Sequence, residues 1–133
     1  MSVRNVGIDI LFLPRITNLM SKEINSRKFP LRILHPVEYE FYERLPDHRW
    51  DSLNKRIRFL ARCWSVKEAL FKSLDNSRQQ HFEFKEWCTV SENMTEKPAA
   101  PSITSPHMED ETFKVSLSHD GEYITAIVLR LQG

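Results

Sequence analysis

Asp9 stands inside an apolar run, Val6 to Leu13, at a position where the pattern calls for a hydrophobic side chain. A lone carboxylate buried there is costly unless a cation, a set of donors or solvent meets it. Farther along, Lys67, Glu68 and Lys72 fall on one long helical pattern, with Lys67 on its apolar stripe. Glu68 and Lys72 are spaced i, i+4 in the favourable order. Ala61, Ser65, Glu68 and Lys72 share a face beside the stripe, so Glu68 is not aimed straight into water. If that face meets the Asp9 strand, two carboxylates and water make a magnesium or manganese site. Such ions take oxygen ligands and complete their shell from waters and substrate phosphates. Neighbouring lysines would then neutralise the phosphate charge that the metal leaves. Each residue also has a plainer reading: Asp9 as a cap on a turn, Glu68 and Lys72 as a solvated surface pair. The residues alone leave both open.

A third place lies at Ser118-His119-Asp120-Gly121, where a strand pattern runs into a turn. Consecutive residues cannot present three side chains in relay, so this is no catalytic triad. The chain has no GxGxxG, P-loop or HExxH pattern, which removes dinucleotide, P-loop nucleotide and zinc-peptidase readings.

The elements that must position these residues follow from periodicity. The 133 residues make one domain with a single core, spanning 1–133. Val6–Leu13 reads as a strand buried on both faces. Pro14 opens a helix through RITNLMSKEI, and Pro36 opens a second, HPVEYEFYERL, ending before Pro46. The longest helix covers 51–75, with Leu53, Ile57, Leu60, Trp64, Phe71 and Leu74 as one buried stripe. Phe82, Phe84, Cys88 and Val90 alternate as in a strand. Residues 91–112, with prolines and mixed polar residues, read as a long loop. FKVSLS and EYITAIVLRL are two strands joined at HDG, with Asp120-Gly121 supplying the tight turn. Helices early and strands late give an α+β fold, an antiparallel sheet carrying the long helix.

The charge balance is +1 overall but uneven. Residues 22–62 hold ten Lys/Arg against six Asp/Glu, whereas 76–112 hold three against seven. The basic half suits phosphates or an acidic protein, or is simply a solvated face. No apolar run is long enough to span a membrane, and no signal-peptide cleavage pattern follows the N-terminus. Cys63 and Cys88 have neither a CxxC nor a zinc spacing, which points to a reducing, intracellular compartment, the cytoplasm or the mitochondrial matrix.

Taken together, GIDILFLPRI, FLARCWSVKEALFK and SLSHDGEYITAIVL resemble the holo-acyl-carrier-protein synthase type of 4′-phosphopantetheinyl transferase. That family shows a G-x-D strand, a W/F-x-x-K-E-A-x-x-K helix and a late S-x-S-H hairpin, in this order. FPLRILHPVEYEFY resembles its region joining helices one and two. The resemblance implies an enzyme of lipid metabolism and fatty acid biosynthesis. It would use coenzyme A as substrate, convert an apo acyl carrier protein to the holo form on a serine, and release 3′,5′-ADP. It further implies that Asp9 and Glu68 hold magnesium, with Glu68 helping to deprotonate the acceptor serine. Lys67 and Lys72 would contact coenzyme A phosphates, with Ser118, His119 and Arg62 nearby, and Arg15 and Arg32 would dock the acidic carrier helix. Small members of the family assemble as homotrimers.

Two departures stand out. Cys63 occupies a position where the family has arginine, with Arg62 one residue earlier. SLDNSRQQHFEF replaces a glycine-bearing loop, and the chain has only 3 glycines, Gly7, Gly121 and Gly133. The competing readings are a non-catalytic module that docks carrier proteins, which would need none of Asp9, Glu68 and Lys72, and a nucleic-acid-binding domain. The latter calls for exposed aromatics interleaved with Lys/Arg, whereas Trp64 and Phe71 read as core.

Overall fold

The Val6–Leu13 run forms the second half of an edge strand, β1 (Ser2–Phe12), with Leu13 already opening the first helix, in the computed structural model, which describes residues 2–47, 54–89, 102–103 and 110–133. The helices α1 (Leu13–Met20), α2 (Glu23–Ile33), α3 (Pro36–Arg44), α4 (Lys55–Ser73) and the short α5 (Asn76–Gln79) follow. Then come β2 (Ser102–Ile103), β3 (Glu111–Asp120) and β4 (Tyr123–Gln132). The strands form one antiparallel four-stranded sheet in the order β1-β4-β3-β2. The architecture is α+β, with α4 lying across β1 and β4, as the sequence pattern predicts.

Strand alternation sorts the sheet into two faces. Gly7, Leu11, Ile124, Ala126, Val128 and Phe113 are buried beneath α4. Val6, Ile8, Ile10, Phe12, Tyr123 and Ile127 point the other way and are exposed. The expectation of a first strand covered on both faces therefore fails within one chain.

α4 departs from the single stripe expected. Leu60, Cys63 and Lys67 are buried toward the other helices, Ala61, Ser65, Ala69 and Ser73 are small and buried, and Val66, Ala69 and Leu70 pack with Trp87, Phe113, Ala126 and Val128 on the sheet side. Ile57, Trp64 and Phe71 are only half-buried, between those two faces. The helix is sandwiched, so its apolar positions wrap most of its circumference. Asn54 caps it, its side-chain oxygen accepting from the backbone N–H groups of Arg56 at 3.0 Å and Ile57 at 3.3 Å. Residues 51–53 of the expected helix lie outside the described residues.

Other boundaries also move. The first helix stops at Met20, and an unforeseen second helix covers Glu23–Ile33 with Pro30 inside it. Pro30 lies near its end, where one lost N–H is offset by burial of Pro30 and Ile33. Phe82–Thr89 is a 3₁₀ turn at Phe84–Glu86 and a single bridge at Cys88, not a strand. Of the expected loop 91–112, residues 102–103 pair with 113–114 and β3 already begins at Glu111; most of the remainder lies outside the described residues. The β3–β4 connection is Gly121-Glu122, one residue later than expected, with Asp120 paired to Tyr123. Gly121 has φ +56°, the positive value that a two-residue hairpin loop with glycine in first position requires.

Candidate active site

A cluster of charged side chains forms where β1 meets α4. A Cβ on Gly7 would lie 1.7 Å from the carbonyl oxygen of Ala69, so only glycine lets strand and helix approach this closely. Two residues on, Asp9 faces the same side of the strand, opposite Ala126 in the register. Lys72, one turn beyond Glu68, reaches across: its Nζ donates to Asp9 Oδ1 at 3.2 Å and to the Ile8 carbonyl at 3.1 Å. Half of the Lys72 side chain remains exposed, whereas that of Asp9 is 13% exposed. Asp9 Oδ2 is buried with no hydrogen-bond partner.

Glu68 flanks this pair. Burial, and next the negative charge of Asp9, hold its carboxyl above the ordinary range, with Lys72 and Arg15 pulling the other way. Four charges, Asp9, Glu68, Lys72 and Arg15, thus act on one another at one spot. An unpartnered, buried carboxylate oxygen beside a second, partly desolvated carboxylate is what a hard divalent cation satisfies. Among the described residues no group of three or more His, Cys, Asp or Glu gathers anywhere. A cation held by Asp9 and Glu68 would take its other ligands from water and phosphate, the habit of magnesium. The residues fit the ion.

Arg15 opens onto a groove of about 480 Å³ lined also by Leu19, Lys22, Phe29 and Trp64. Arg32 lies elsewhere, on a shallower surface with Lys28, Phe84 and Lys85. An aromatic ridge separates the two surfaces: Phe29 and Trp64 centroids are 5.5 Å apart, and Trp64 stacks on Phe84 at 5.1 Å.

Four expected site residues are placed differently. Lys67 does not face phosphate. Its side chain is 0% exposed and its ammonium is shared between Glu38 and the Ile33 carbonyl, 2.7 Å away. Arg62 is exposed on α4, but six residues from Glu68 it stands about 120° around the helix and turns away from the carboxylates. Ser118 and His119 are consecutive on β3 and so project to opposite faces of the sheet. His119 pairs with Ile124, which pairs with Leu11, leaving it two strands, roughly 10 Å, from β1. One chain alone does not bring the hairpin to the carboxylates.

The glycine-free segment after α4 is built from side-chain ties. Asp75 precedes α5 and accepts from Arg130 Nη2 at 3.0 Å, and Gln79 Nε2 donates to the Phe71 carbonyl at 2.9 Å. Hydrogen bonding to Arg130, then its charge, holds the Asp75 carboxyl below its usual range. Arg78 joins Glu111 at 2.8 Å, so the turn is fastened to the sheet at both β3 and β4.

A family model of the 4′-phosphopantetheinyl transferase superfamily matches residues 5–128. The chain belongs to that superfamily. Relatives of this transferase include the holo-[acyl-carrier-protein] synthase of Geobacillus kaustophilus, 36% identical over 93% of this chain and 85% of the relative. That of Bacillus velezensis is 32% identical over 93% and 92%. Among solved structures, the Plasmodium yoelii acyl carrier protein synthase with ADP bound superposes with a TM-score of 0.75 at 20% identity, covering 99% and 97% of the two chains. The Bacillus anthracis holo-(acyl-carrier-protein) synthase in complex with coenzyme A (3′,5′-ADP) gives 0.72 at 21%, covering 98% of each. Such likeness establishes the transferase fold.

Sequence reasoning missed Glu38, Thr89, Arg130 and the close approach at Gly7. Lys67 on an apolar stripe demanded a buried anion, and Glu38, three residues after His35 in a capping-box spacing, was the signal for it.

Proposed function

We propose that the chain is a holo-acyl-carrier-protein synthase: it transfers 4′-phosphopantetheine from coenzyme A to a serine of an acyl carrier protein and releases 3′,5′-ADP. The observation that carries this is the Asp9–Lys72 contact at 3.2 Å beside Glu68, inside a chain of this superfamily. A docking module has no use for a buried, unpartnered carboxylate oxygen.

In the reaction the serine oxygen forms a bond to the phosphorus that bears the pantetheine arm. The bond from that phosphorus to the bridging oxygen breaks, and 3′,5′-ADP departs with the electron pair. Glu68 takes the serine proton, a role suited to a carboxyl held above its ordinary range. Asp9 and Glu68 would hold magnesium or manganese, which when bound supplies positive charge to the pyrophosphate. Lys72, half exposed beside Asp9, would neutralise a phosphate oxygen of the coenzyme. Positioning and charge neutralisation are the main needs of such a displacement.

The exposed apolar sheet face and the distance of His119 from β1 support a homotrimer with the site between subunits. A neighbouring copy covers Val6, Ile8 and Ile10 and brings its Ser118–His119 hairpin to the coenzyme. Arg15 and its groove receive the acidic carrier helix. The product serves fatty acid biosynthesis inside the cell, in keeping with Cys63 and Cys88 as buried thiols. No helix among the described residues is long and apolar enough to cross a membrane.

The test is direct. The protein is incubated with coenzyme A, magnesium and an apo-carrier protein, and the carrier is weighed. A gain equal to one phosphopantetheine is expected, and an unchanged mass with active apo-carrier overturns the reading.

A further inference from the structure

Glu38 is 0% exposed and forms a buried ion pair with Lys67, also 0% exposed. Its Oε1 accepts from the Lys67 ammonium and from the backbone N–H of His35 at 2.8 Å. Its Oε2 accepts from the Thr89 N–H at 2.9 Å, from the Thr89 hydroxyl and from Cys63 Sγ at 3.6 Å. Burial, and then the Glu38 charge, push the Cys63 thiol far above its ordinary range, so it stays a donor. The Lys67 ammonium donates in turn to the Ile33 carbonyl at the end of α2. One carboxylate thus ties together the α2–α3 junction, the segment at Thr89 and the middle of α4.

We propose that Glu38 is a positioning residue for the transfer reaction, acting through Lys67 to fix the rotation of α4 so that Glu68 and Lys72 face Asp9. The inference rests on the transferase reading above. Lys67 precedes Glu68, about 100° around the helix, so whatever orients one orients the other. On the sheet side, Ala61, Ser65, Ala69 and Ser73 offer small side chains, and Gly7 offers none. That surface sets how near α4 lies, and Val66 and Leu70 pack beside it on Trp87, Phe113 and Val128. A rotation of about 20° at a side-chain radius of 5–6 Å displaces a carboxylate by about 2 Å, a whole metal–oxygen bond length. To that non-directional packing the buried ion pair adds a directional restraint, since a rotation would part Lys67 from Glu38. Its worth to stability is not the argument, since well-packed neutral replacements of such pairs are often neutral or stabilising.

That last point supplies the test. Glu38→Gln alone leaves Lys67 buried without its partner and is expected to destabilise the fold. The double variant Glu38→Gln/Lys67→Met removes both charges together. Melting temperature, manganese affinity measured from the free-ion signal, and the kinetics of carrier modification are compared with wild type. The expected result is a folded double variant melting close to wild type, with manganese bound at least tenfold more weakly. Its kcat should fall at least tenfold while KM for coenzyme A changes less than threefold. A folded double variant with wild-type manganese affinity and kcat overturns the proposal. So does a double variant that fails to fold, which assigns the pair to the fold alone. If the wild type modifies carrier and the variant equals it, only the positioning role falls. If the wild type neither binds manganese nor modifies carrier, the transferase reading falls and takes this role with it.

Discussion

Gly7 and Ala69 stand so close that a Cβ on the glycine would lie 1.7 Å from the alanine's carbonyl oxygen. The obstacle is backbone, which cannot rotate out of the way, and the same contact sets the distance between Asp9 and the α4 carboxylate. Gly7→Ala must push strand and helix apart. It is expected to cost about 1–3 kcal/mol or more and to lower transfer at least tenfold. Thermal melts and carrier modification measure both, and a variant with wild-type melting and turnover contradicts the close approach.

The two carboxylates give the most direct check on the metal site. Asp9→Asn and Glu68→Gln keep volume and lose a charged ligand. Each should reduce transfer at least a hundredfold, with far-ultraviolet dichroism unchanged and manganese affinity lost. Near-normal turnover in either variant removes the assignment.

Glu68 also sets a pH dependence. Burial and the Asp9 charge raise its folded-state pKa above the unfolded value. Ionised Glu68 therefore destabilises the metal-free fold, fully above the folded pKa and not at all below the unfolded value of about 4.3. Melted in chelator at about pH 8, Glu68→Gln should be at least as stable as wild type, and the gap should close as pH falls toward about 4. Manganese affinity of the wild type should decline with acid at a pH above the ordinary glutamate range. A Glu68→Gln variant less stable than wild type in chelator at about pH 8 refutes this sign.

Much of this site was legible because it breaks pattern. A carboxylate in an apolar strand and a lysine on an apolar stripe each demand a partner, and Asp9 and Lys67 were visible for that reason. Periodicity could not name the partners. Asp9 met Lys72 across a strand–helix contact that only the Gly7 gap permits. Lys67 met Glu38 from another helix, not the strand that Lys72 reaches. Pro30 concealed α2, because a proline reads as a breaker even where tertiary burial keeps the last turn helical. Phe82 to Cys88 alternates like a strand, yet Phe82, Phe84 and Trp87 pack on one another and on Phe71, Trp64 and Phe113 through a 3₁₀ turn. Aromatic packing won there over ladder hydrogen bonds.

Lys72 and His119 should matter for the coenzyme more than for the fold. Lys72 is half exposed and His119 exposed, so neither supports a core. Lys72→Ala and His119→Ala should melt within a few degrees of wild type yet bind coenzyme A at least fivefold more weakly by calorimetry. On the proposed reading that a neighbouring copy supplies the hairpin, the His119 effect should also vanish in a variant made monomeric by Ile8→Glu on the exposed sheet face. Unchanged affinity in both alanine variants returns the residues to ordinary surface roles.

Arg15 carries the prediction about the carrier. It lies near enough to Glu68 to lower that carboxyl's pKa, and it lines the groove with Lys22, Phe29 and Trp64. A carrier helix docked there would set its serine beside the carboxylates, with Arg15 meeting an acidic side chain at the rim. Arg15→Glu should then weaken carrier modification at least tenfold at low salt while changing coenzyme A affinity less than twofold. The loss should fall on association, because rim charges steer encounter and are screened over about 8–10 Å at physiological ionic strength. Raising salt should weaken the wild type toward the variant, since it removes an attraction the variant already lacks. Arg32, on the far side of the Trp64–Phe84 stack, should show a smaller effect of the same kind when changed to Glu. Titrating carrier against wild type and both variants at low and high salt separates these outcomes. Equal apparent affinities for wild type and Arg15→Glu at low salt would place the carrier elsewhere on the surface.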